Sequence, residues 1–105
     1  MSIDQTEIID AIGIDNFSGD VILTMTDHLK WGAHHHLLML QEKLNTYLRF
    51  VESGEILEIF PDAKERNVLI SLQCQYPPDK NGVKFLNQVS GFIKGAGINF
   101  SVSVA

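Results

Sequence analysis

The chain has little cysteine, proline or tryptophan, with one, three and one of each in 105 residues, and its 8 Lys and Arg are outnumbered by 13 Asp and Glu. Each shortage excludes something. A single cysteine, Cys74, forms no intramolecular disulfide, which is compatible with a reducing compartment. Scattered bases and a formal net charge of −5 supply no clustered Lys and Arg for counterion release, so nucleic acid is not an expected partner. No stretch approaches the roughly 20 apolar residues that span a bilayer, so no membrane segment is expected. The opening MSIDQTEIID is acidic and lacks the positive n-region and apolar run of a secretory signal, which makes a cytoplasmic location the expectation.

What is present reads as one domain over residues 1–105, long enough to bury a core without staples. Residues 7–14, EIIDAIGI, and 21–26, VILTMT, are β-branched or aliphatic runs joined by DNFSGD, a reversing loop, and so predict a β-hairpin. Gly13 marks a possible bulge or early strand end. A long helix is expected from Ala33 to Ser53, closed by Gly54 in the left-handed conformation. Leu37, Leu40, Leu44, Tyr47, Leu48 and Val51 form its apolar stripe, opposite Glu42, Asn45, Arg49 and Glu52. Met39 and Phe50 fall beside that stripe and widen the apolar arc.

Residues 67–76, NVLISLQCQY, alternate with period two, placing Val68, Ile70, Leu72, Cys74 and Tyr76 on one face. Pro77 and Pro78 end that strand. A second helix follows over 80–94 with Phe85, Leu86, Val89, Phe92 and Ile93 on one side, terminated by Gly95 and Gly97. INFSVSV then alternates again, with Ile98, Phe100, Val102 and Val104 inward. GEILEIF predicts at most a short edge strand, because Pro61 follows it. The expected fold is α+β, a two-layer sandwich of order β-β-α-β-α-β. Its four-stranded sheet, mainly antiparallel or mixed, carries two helices on one face.

Imidazole is a common metal ligand, which makes His34, His35 and His36 a candidate cluster. Consecutive helical residues point about 100° apart and cannot converge on one ion. Joining His28 and Asp27 to one of the trio still leaves the ligand set short. Neither a metal nor a cofactor is expected. Cys74 on an inward strand face behaves as a small hydrophobe, and no serine sits in a nucleophile elbow. Glu55 and Glu58 read as a solvated acidic edge, and the glycines at 95 and 97 follow a helix instead of opening one. No catalytic residues are assigned. Trp31, at the strand-to-helix junction, either staples the helix to the sheet or anchors an interface. A buried Tyr47 hydroxyl would need Lys43 or a sheet carbonyl as its partner.

TDHLKWGAHHHLLMLQEKLNTYLRFVESGEI, the FPDA turn, the alternating strand and KGAGINF together resemble a family of small bacterial proteins of unknown function. The likeness extends over nearly the whole chain and is most specific in LQEKLN.YL.F.ESGEI, Leu40 to Ile56. It implies a bacterial, soluble α+β protein and transfers no catalytic residues.

Two classes of function remain. One is a protein-interaction or accessory module, with Asp27, His28, Trp31, Met39, Phe50 and Glu55 as the possible binding surface and self-association through surplus apolar positions on the long helix. The other is an enzyme or small-ligand protein with a pocket near Asp27, His28 and Trp31, His28 acting as a base.

Overall fold

A computed structural model describes residues 3–105. It is an α+β fold with a four-stranded mixed sheet and three α-helices. In chain order these are β1 (Ala11–Ile14), β2 (Val21–Asp27), α1 (His34–Glu52), α2 (Glu55–Ile59), β3 (Val68–Cys74), α3 (Lys80–Gly95) and β4 (Asn99–Val104), with one 3₁₀ turn, Pro61–Ala63, after α2. The strands lie side by side in the order β1-β2-β3-β4. β1 runs antiparallel to β2, while β2, β3 and β4 are mutually parallel. A two-stranded reversal needs only the DNFSGD loop, in which the Asp15 carboxylate accepts from Phe17 N and Ser18 Oγ. Parallel neighbours need crossovers, and α1 and α3 supply them.

Strand alternation puts Val21, Leu23, Met25 and Asp27 of β2 in register with Val68, Ile70, Leu72 and Cys74 of β3. All eight are buried. Leu40, Leu44, Tyr47 and Leu48 from α1 and Leu86 and Ile93 from α3 join the same core. Removing one such leucine or isoleucine from water contributes on the order of 1.5–3 kcal/mol, and this inner row is what holds α1 in place. Gly54 ends α1 at φ 85 and begins α2, a left-handed position that a side chain would strain.

Four expectations are corrected. Glu55–Ile59 is helical, because the chain leaves Gly54 in a turn and packs Ile56 into the core without reaching a sheet edge. The expected element order therefore lacked one helix. β1 is shorter than 7–14 because Asp10 turns inward, where its Oδ2 accepts from Thr26 N. Gly13 pairs with Ile22 in unbroken register, so there is no bulge. On β4, Val102 and Val104 are 38% and 45% exposed, and Phe92 on α3 is 69% exposed, because these positions lie at the margin of the core.

Candidate functional site

Three α1 side chains seven residues apart, His36, Lys43 and Phe50, form one line along the helix, since seven residues nearly complete two turns. All three are buried. Burying a cationic or polar group costs several kcal/mol unless it is paired, and each polar member meets an aspartate. Lys43 Nζ donates to Asp10 Oδ1 at 2.8 Å and to Gln5 O at 2.9 Å. The remaining Asp10 oxygen, Oδ2, accepts from Thr26 N at 3.0 Å and Thr26 Oγ1 at 3.3 Å. Asp10 N in turn donates to Tyr47 Oη, whose hydroxyl hydrogen goes to Thr24 O. The expected sheet carbonyl is thus the acceptor for Tyr47, and Lys43 serves Asp10 instead. Burial pushes the Tyr47 hydroxyl well above the ordinary tyrosine range. With Thr46 Oγ1 donating to Thr6 O, this network clamps the segment before β1 onto α1.

A second cluster lies at the other end of α1. His36 Nε2 is 2.6 Å from Asp27 Oδ2, and Asp27 Oδ1 accepts from Leu29 N. His36 Nδ1 is buried and has no hydrogen-bond partner among the described residues. The Trp31 ring lies 4.4 Å from that of His36, centroid to centroid, tilted by 45°. Trp31 Nε1 donates to Tyr76 O, and the indole lies so close to Gly82 that a Cβ there would meet Trp31 Cε3 at 2.5 Å. Cys74 stands in register with Asp27. Burial first, and then the Asp27 charge, push its thiol up to about 11, so it is a protonated core group rather than a thiolate nucleophile. Among the described residues no three His, Cys, Asp or Glu side chains are grouped to hold a metal ion.

Beside the Asp10 cluster, at the β1 edge of the sheet, lies a groove of about 770 Å³. One wall is the chain entering and forming β1, with Glu7, Ile9, Asp10, Ala11 and Ile12; the other is Thr46, Arg49, Phe50 and Ser53 of α1's last turns with Glu55 and Ile59 of α2. Since Asp15 N donates to Asp20 O and Val21 N turns to Asn67 O on the β3 side, the alternation makes Gly13 and Ala11 the positions bonded to β2. The N–H and C=O groups of Ile12 and Ile14 therefore point away from β2, along the groove side of the sheet. Asp10, paired with Lys43, forms part of the wall, and Glu7, Arg49 and Glu55 line the same groove.

The sequence-derived candidates separate into these two regions. Asp27 and Trp31 lie at the start of α1, Phe50 and Glu55 at its far end, and Met39 half-buried between them. The helix has 19 residues and, at about 1.5 Å per residue, holds its ends nearly 30 Å apart. His28 is exposed, and the buried Asp27 carboxylate is met by His36 instead. His34 and His35 are exposed while His36 turns inward. Asp10, His36 and Lys43 were missed as a set. The heptad spacing of His36 and Lys43 with Phe50 was the signal, and it is visible only if polar residues are allowed onto the apolar stripe.

Fold and site thus define a small α+β protein with paired buried charges and an open groove at its sheet edge. The model of a family of unknown function (DUF6572) matches residues 1–105, and the chain belongs to that family. No curated protein and no solved structure matches the chain. Among the described residues, no helix is long and apolar enough to cross a membrane.

Proposed function

We propose that the protein is an interaction module, a bacterial cytoplasmic accessory protein that takes an extended segment of a partner into the groove beside β1. The observation that carries this reading is the conjunction of the outward-facing main chain of β1 at Ile12 with a side-chain trough of Phe50, Ile9 and Ile59. An added strand gains affinity from the main chain and specificity from alternate side chains entering the trough. Ile59 is 67% exposed and offers apolar contact to such a segment. Glu7 and Glu55, with the net charge of −5, favour a segment with a basic residue beside its apolar anchor.

The two-layer arrangement belongs to the same reading. Both crossovers advance in one direction along the sheet, and right-handed connections place α1 and α3 on one face. The end of α1, with α2, then forms the far wall of the groove. A pocket at the start of α1, about 160 Å³ and lined by Trp31, His34 and Asp79 among others, supports a small-ligand site less well. Neither Asp27 nor His36 lines it.

Selection from a displayed library of random peptides tests the proposal. Apolar-basic sequences should be enriched, and their binding should fall at least tenfold in Ile59→Lys and in Glu55→Lys with the circular dichroism spectrum unchanged. No enrichment, or binding indifferent to both substitutions, would reject the groove.

A further inference from the structure

The opposite sheet edge differs in kind from β1. β1 is four residues long and borders the groove lined by Phe50 and Ile59. β4 is six residues long, NFSVSV, and from Ile98 to Ala105 the chain has no charged side chain and no proline. An unprotected, β-rich edge of this kind is a template for another strand. Ala105 N donates to Cys74 O, which fixes the parity of the ladder: Ser101 and Ser103 bond to β3, while the main-chain groups of Phe100, Val102 and Val104 face outward. Their side chains share a face with Ile70, Leu72 and Cys74, yet Val102 and Val104 remain more than a third exposed.

We propose that β4 pairs with β4 of a second copy of this chain, antiparallel about a two-fold axis at Val102, doubling the sheet. In this register Phe100 faces the partner's Val104 and Val102 faces the partner's Val102, so every outward main-chain group is bonded in a close pair. The exposed valines then form an apolar cross-strand ladder with the phenylalanines. On the other face Ser101 lies opposite the partner's Ser103, a hydroxyl pair that such ladders favour. Self-complementarity favours a second copy: two-fold pairing sets each residue against its own kind of surface, which the uncharged NFSVSV edge tolerates and which matches valine to valine and serine to serine. The closed isologous contact also leaves no further edge on that side.

Light scattering on the full chain should give twice the 11.7 kDa chain mass. Val102→Lys and Val102→Glu should each be folded monomers, because a like charge then faces itself on the axis. Mixing the two should restore the doubled mass. Hydrogen exchange on the unaltered protein supplies a readout that does not depend on how the variants fold. Amide protection at Phe100, Val102 and Val104 should rise with protein concentration while that at Ser101 and Ser103 stays constant. A monomeric wild type at all concentrations, a dimer indifferent to Val102→Lys, or folded variants that fail to recombine would each overturn the proposal.

Discussion

At the residue scale, the Lys43–Asp10 pair is the strongest local commitment in the molecule. Both side chains are nearly inaccessible, so removing one leaves an uncompensated buried charge whose cost exceeds the net worth of the pair itself. Lys43→Met should therefore lower unfolding free energy by about 3–5 kcal/mol, measured in urea melts. Adding Asp10→Asn should recover part of that loss, giving a coupling of about 1 kcal/mol or more in the double-mutant cycle. Strict additivity would mean that the two groups do not interact. In the sequence Lys43 read as one possible partner of the Tyr47 hydroxyl. Only the entering segment, with Gln5 O and Asp10 placed above it, turned it inward.

At the element scale, the start of α1 is locked to α3 by shape. Trp31 bonds to Tyr76 O and lies on Gly82, which Asp79 caps by accepting from Gly82 N at 2.7 Å. The indole is thus a staple between junctions. Gly82→Ala improves helix propensity by up to about 1 kcal/mol, but its Cβ would overlap Trp31 ring carbons held at a fixed place. Overpacking should win, with a net loss of about 1–3 kcal/mol in thermal or denaturant unfolding. The same substitution in a Trp31→Ala background should cost much less. A more stable Gly82→Ala protein would show that the indole is free to move. From periodicity and turn residues, α1, α3, β2 and β3 were legible to within a residue or two. The short run 55–59 was not, since its few apolar residues suit a strand as well as a helix and only the packing of Ile56 decides between them.

At the scale of the whole molecule, stability toward alkali depends on the core accepting no new charge. Cys74 titrates near 9.0 when unperturbed and at about 11 in the fold, so the folded state holds the thiol proton more tightly than the unfolded one. The corresponding stability is complete below pH 9 and is lost as pH rises toward 11, on the order of 2 kcal/mol. Urea midpoints from pH 8 to pH 11 should fall more steeply for the wild type than for Cys74→Ala; parallel curves would remove the thiol from this account. Tyr47 is shifted in the same direction but is common to both proteins, so the difference isolates Cys74. The candidate site was only partly visible in sequence: Phe50 and Glu55 do line the groove, whereas Asp27 and Trp31 are drawn to the other end of α1. By itself the sequence determined the α+β class, the single buried cysteine and the apolar faces of the main elements, because those follow from local period and composition. Tertiary structure alone decided which strands are parallel, which polar residues are buried in pairs, and where a groove opens. These depend on residues 9 to 47 positions apart, from His36 with Asp27 to Val21 with Val68, and local pattern does not encode which distant partner a residue will meet.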